Sequence, residues 1–171
     1  MESLEKASLW GRLSKRKLIV GLVILLVVIA AVPVFLLLNT SPRVPLAAQE
    51  FTVRIEEAGY VAENRLHQLG AGNAETFLVV ESDWFFIEFL VFSTEARARQ
   101  VYSSTRRDLE DARSGGASSH TEVSLSNFSR FTQTFSGQYA VVSRIENTLV
   151  FAHTTFEHRS RMNDLLGTLG Y

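Results

Sequence analysis

Cysteine is absent from the 171 residues, which excludes disulfide cross-links and anchoring through a lipid-modified N-terminal cysteine. Proline is scarce: Pro33 falls inside an apolar run, Pro42 and Pro45 lie close behind it, and none follows. Lysine stops at Lys17, so the remainder offers no lysine as a covalent nucleophile or Schiff base. A dominant charge sign is missing too. After residue 38 twelve arginines face sixteen carboxylates, a mildly acidic balance that does not suggest nucleic acid or an anionic lipid surface as the partner.

Catalytic and metal signatures are equally thin. His153 and His158 in "HTTFEH" are five apart across a strand-to-helix junction, whereas a zinc-binding helix needs a spacing of four. "GAGNAE" lacks the third glycine of a dinucleotide loop and precedes a strand. No GxSxG elbow is present, and "SGGASSH" reads as a loop without an aspartate partner. The expectation is a protein that is not an enzyme, with no cofactor and no metal.

What the chain does have is "LIVGLVILLVVIAAVPVFLLL", residues 18–38, with no charged side chain. As a helix it would extend about 31 Å at 1.5 Å per residue, the thickness of a bilayer core, and a membrane helix tolerates Pro33. Lys6, Arg12, Lys15, Arg16 and Lys17 precede it and only Arg43 follows closely. The basic flank is expected to stay cytoplasmic, with the C-terminal bulk outside. A signal peptide cleaved near "PLAAQE" is the rival, against which the length of the apolar run argues. The expected organisation is a basic cytoplasmic segment (1–17), a single-pass span (18–38), a tether (39–47) and one extracytoplasmic domain (48–171).

Within that domain, apolar spacing predicts three helices. The first lines up Ala48, Phe51, Ile55 and Ala58 and stops at Gly59. The second follows Ser93 as N-cap and lines up Ala98, Tyr102 and Leu109. The third opens with Thr154 and Glu157 at capping-box spacing and lines up Met162, Leu165, Leu166 and Leu169. Strand signals lie between them. The predicted fold is α+β, a mostly antiparallel sheet of about six strands in the order α-βββ-α-βββ-α, with helices on one face and the other partly wet.

Glu88 stands alone in "WFFIEFLVF", as Arg144 does in "QYAVVSRI". A buried, unpaired carboxylate is costly, so a cross-strand Glu88–Arg144 pair is the expected solution, with an exposed residue or an acid–base site as alternatives. Arg97, Arg99, Arg106, Arg107 and Arg113 on the second helix alternate with acidic residues four apart, which describes a solvated face. Phe131, Phe135 and Tyr139 form the predicted binding surface, set on the wet sheet face.

"IEFLVFSTEARARQVY" and "YAVVSRIENTLVF", together with the final "LGY", resemble a group of small extracytoplasmic domains of Gram-positive-type bacteria, tethered by one helix or a lipid. The resemblance covers most of residues 48 to 171. It implies an α+β fold and an envelope location, and it assigns no activity and no functional residue. The function expected from all of this is a membrane-anchored binding or accessory module of the cell envelope, its partner an envelope protein or ligand yet to be identified. The alternatives are an assembly subunit that oligomerises through span and domain, or an enzyme using Glu88, Asp83 and a histidine.

Overall fold

Tight turns lay out most of the sheet. Ser136 and Gly137 both take positive φ, 46° and 76°, which suits a two-residue type I′ hairpin between right-twisted strands. Glu146 and Asn147 make a second two-residue turn, with Glu146 at φ 50°. A computed structural model describes residues 43–69, 74–112 and 118–171. The expected span at 18–38 lies outside the described residues, among which no helix is long and apolar enough to cross a membrane.

The elements are α1 (Ala48–Glu57), β1 (Glu63–Asn64), β2 (Thr76–Glu81), β3 (Phe85–Val91), α2 (Glu95–Asp111), β4 (Ser118–Ser124), β5 (Phe128–Phe135), β6 (Gln138–Ile145), β7 (Thr148–Thr155) and α3 (Arg159–Thr168). The fold is α+β, with a seven-stranded antiparallel sheet in the order β1-β2-β3-β7-β6-β5-β4. Two hairpin runs, β1–β3 and β4–β7, meet along a β3–β7 seam that pairs Phe85 with Thr154 and Val91 with Thr148 at its ends.

Alternation along the strands sends side chains into two cores. Leu78, Val80, Ile87, Phe89, Val141, Val150 and Ala152 face α1 and α3, where they meet Phe51, Ile55, Met162 and Leu166. Phe51 stacks on Phe89 at 4.3 Å between ring centroids. Each fully buried side chain of this kind contributes roughly 1.5–3 kcal/mol. Phe77, Val79, Leu90, Phe131, Val142 and Leu149 face the other way, onto Ala98, Tyr102 and Leu109 of α2.

Several expectations need correction. The sheet has seven strands where about six are expected, because Ser126 and Asn127 sit in a turn that separates β4 from β5. β4 also begins at Ser118, inside the stretch expected to be a loop. Helices pack on both faces, so neither face is simply wet. The N-cap of α2 is Thr94, whose hydroxyl accepts from the Arg97 amide, rather than Ser93. Thr154 belongs to β7 and its hydroxyl donates to the Trp84 carbonyl, so α3 starts later, at Arg159, without a side-chain cap.

Candidate functional site

Register decides the fate of the expected Glu88–Arg144 pair. Glu88 lies between Val79 on β2 and Phe151 on β7, while Arg144 lies between Ser129 on β5 and Leu149 on β7. β7 therefore stands between them. Two strand spacings amount to about 10 Å, with a two-residue offset added, so the pair does not form. Local sequence does not specify which strand of the second run joins the first, and it is β7, not β6, that does so.

Glu88 instead sits half-buried beside Phe86 and Phe151, with no ion pair or hydrogen bond to its carboxylate among the described residues. Desolvation raises its pKa. His153, diagonal to Glu88 across the β3–β7 seam, stacks on Phe86 at 5.1 Å, and desolvation lowers its pKa. A carboxyl group and an imidazole, each pushed toward its neutral form, thus share one face. The open groove of about 480 Å³ nearby takes in His153, Phe86, Asp83 and Gln138 but not Glu88.

The expected aromatic binding surface does not exist as one surface. Phe131 is fully buried under α2, and Phe135 lies half-buried on the same side. Tyr139 points to the opposite face, where its hydroxyl donates to Asn163 of α3. The alternation in "FTQTF" is real, but α2 covers the side that bears its phenylalanines.

Arg144 has found other company. It projects toward α2 with its side chain only 2 % exposed. Its Nη1 donates to Glu95 Oε1 at 3.0 Å and to the Glu146 carbonyl at 3.1 Å. Its Nη2 reaches Ser129 Oγ only at 3.5 Å, the outer limit of a hydrogen bond. Its Nε has no partner.

Around that guanidinium runs a groove of about 530 Å³ between α2 and the β4–β5 hairpin. Arg99, Tyr102, Ser103 and Arg106 line it from α2, at spacings of three and four that keep them on one stripe of the helix. Glu122, Ser124, Leu125, Ser126 and Ser129 line it from the hairpin. Arg106 bridges the two walls, donating to both Glu122 oxygens at 2.8 and 2.9 Å while also approaching Glu110 at 3.6 Å. Arg99 holds Glu95 at 2.7 Å and reaches the Ser126 carbonyl at 3.2 Å. Hydrogen bonds from Arg99, the largest cause, and from Arg144 hold the Glu95 carboxyl below its usual range.

Among the described residues, three buried side-chain polar atoms lack a partner: Tyr102 Oη, Gln133 Oε1 and Arg144 Nε. Two of these three belong to residues lining this groove. Burial, reinforced by the charge of Glu122, pushes the Tyr102 phenol up to about 12, so at neutral pH it remains a donor. Orphaned donors of this kind cost free energy and call for an explanation.

The sequence carried half of this site. The arginine stripe on α2 was visible, as was the lone Arg144. Their convergence was not, since it depends on α2 crossing over β6; Tyr102 stood out by spacing only as a core position, and the hairpin serines did not stand out at all. Against protein-family models, curated proteins and solved structures alike, the chain finds no match.

Proposed function

We propose that the chain is a membrane-anchored, extracytoplasmic binding module of the cell envelope, with residues 18–38 as its uncleaved anchor. The apolar run and the basic residues before it support the anchor and its orientation. The observation that carries the binding reading is the groove beside Arg144, where two buried polar atoms wait without partners. The domain works by holding a ligand or partner there rather than by covalent chemistry. The lining includes serines but neither a histidine, a lysine nor a cysteine to activate them, and its one carboxylate, Glu122, is taken up by Arg106.

The test is fractionation of cells expressing the full chain with a C-terminal epitope. The expected result is an epitope that stays with membranes after alkaline carbonate washing and is removed by protease added to spheroplasts. An epitope released in soluble form, on a product shortened by the N-terminal segment, would make the apolar run a cleaved signal peptide. Protection from external protease would overturn the orientation.

A second reading, an assembly subunit, draws on β4, the last strand of the sheet order, whose outer edge pairs with no other described strand. Sedimentation of the full chain in neutral detergent decides it: a discrete oligomer favours assembly and a monomer removes it.

A further inference from the structure

We propose that the groove between α2 and the β4–β5 hairpin binds a phosphate group carried on a larger molecule, seated over Arg144. The inference rests on the binding reading above and names the ligand class of that same site.

Geometry first. Nη1 of Arg144 is committed to Glu95 and the Glu146 carbonyl. The other edge of the guanidinium, formed by Nε and Nη2, carries only the 3.5 Å contact to Ser129. That edge presents two parallel N–H groups, the fork that takes two oxygens of one oxyanion. Glu95 occupies the first fork position and nothing fills the second.

Charge next. Three guanidiniums line the groove against one lining carboxylate, Glu122, with Glu95 and Glu110 neutralising from outside it. Three guanidiniums thus face three carboxylates, and an anion gains a net cationic contact only by displacing Glu122 from Arg106. Arg106 is a third exposed and able to swing from Glu122 to an incoming anion. Arginine in this setting is the preferred partner of phosphate because its fork matches the spacing of the oxygens.

The donors also approach from several sides: Arg144 from the floor, Arg106 and Ser103 from the helix, and Ser124 and Ser126 from the hairpin. A planar carboxylate accepts mainly in one plane, whereas a tetrahedral phosphate accepts from all around. A groove of about 530 Å³ leaves room beyond a bare phosphate for the rest of an organic ester. Arg144 Nε and Tyr102 Oη lie just below the floor, sealed from bulk water. The anion meets Arg106 first and engages Arg144 after Ser129 or Tyr102 shifts.

A lipid headgroup and a water-soluble phosphoester offer the same chemistry. The hairpin turn that walls the groove bonds back to the Arg43 carbonyl through Asn127 at 3.0 Å, and the expected span ends only five residues earlier in sequence. Both sources are therefore tested.

The experiment is phosphorus-31 NMR titration of the full chain in neutral detergent micelles, with glycerol 3-phosphate in one arm and short-chain phosphatidic acid in the other. Saturable line broadening is expected at or below the order of 10 mM, a range typical of weak specific binding. Arg106→Gln should weaken it roughly tenfold, the loss of one charged contact, with the thermal midpoint little changed. Tyr102→Phe, which leaves the floor packed, should weaken it less. Saturation in both arms assigns a soluble phosphoester, and saturation with phosphatidic acid alone assigns a lipid headgroup. No saturation in either arm overturns the inference, as does binding indifferent to both Arg106→Gln and Tyr102→Phe. Either negative leaves the membrane fractionation result standing, so the two readings fail separately.

Discussion

Arg144 and Glu95 form an ion pair at 3.0 Å whose two partners live in different solvents: the guanidinium is 2 % exposed and the carboxylate 40 %. The asymmetry means that removing one partner is unlike removing the other. Truncating Glu95 leaves a buried cation without its carboxylate, and should be the more costly of the two changes. Replacing Arg144 with Met removes the buried charge altogether and lets Glu95 rehydrate and keep Arg99. Its cost should be nearer 1–2 kcal/mol, about one hydrogen bond to the Glu146 carbonyl and some packing. Urea midpoints of Glu95→Ala and Arg144→Met, compared at unchanged slope, check the order.

Glu88 is expected to be a burden to folding. Its carboxyl pKa is raised by desolvation and no partner compensates. A raised folded-state pKa means that the native state binds the proton more readily than the unfolded state does. Stability from this group is therefore greatest below the unfolded value and declines as pH rises through the folded one. Glu88→Gln should be at least as stable as wild type at pH 7, and its advantage should vanish on acidification below the ordinary carboxylate range. Thermal midpoints of both proteins across pH 4 to 7 give the answer, and a lower midpoint for Glu88→Gln at pH 7 would show that the carboxylate has a stabilising role.

Tyr171 closes the core on the α3 side, 2 % exposed, with its hydroxyl bonded to Thr148 and its ring edge-on to Phe89 at 6.4 Å. Tyr171→Ala should cost about 3–5 kcal/mol, as large aromatic truncations do. Tyr171→Phe should cost about 1 kcal/mol, since it loses only the hydroxyl contact and Thr148 still donates to the Ile145 carbonyl. Guanidinium melts of the two variants separate packing from hydrogen bonding.

Helix α2 starts one residue later than its sequence suggested, and adjacent hydroxyls make this checkable. Thr94→Ala should destabilise by about 1 kcal/mol through loss of the N-cap. Ser93→Ala, at a position that does not cap, should be close to neutral. Equal losses at the two positions would contradict the capping geometry.

Much of the architecture was legible because local chemistry dictates it. Gly59, at φ 86°, ends α1 where a left-handed residue is needed. The strands from Gln138 and Thr148 are bounded by turn residues, Ser136-Gly137 and Glu146-Asn147, that the sequence marks. What was not legible is non-local. Nothing in "WFFIEFLVF" says that β3 will join β7 instead of β6, and that single pairing moved Arg144 away from Glu88 and toward α2. Phe131 and Tyr139 looked like neighbours on one surface, yet strand parity sends them to opposite sides of the sheet. The groove is the product of both non-local facts, which is why its lining residues appeared in the sequence as unrelated fragments.

The β3–β7 seam brings residues together across a long stretch of chain, Phe85 against Thr154. The hairpins on either side of it close over only a few residues. Local pairing forms early and cheaply in entropy, while the seam must wait for a large loop to close. The sheet thus has two cooperative blocks with one late-forming joint. Amide hydrogens of β5 and β6 should outlast those of β1 and β2 in exchange, because β1 pairs with β2 over only two residues. Glu88 and His153 sit on the β3–β7 seam, so the last joint of the sheet to close is also the place where its two neutral-leaning titratable groups meet.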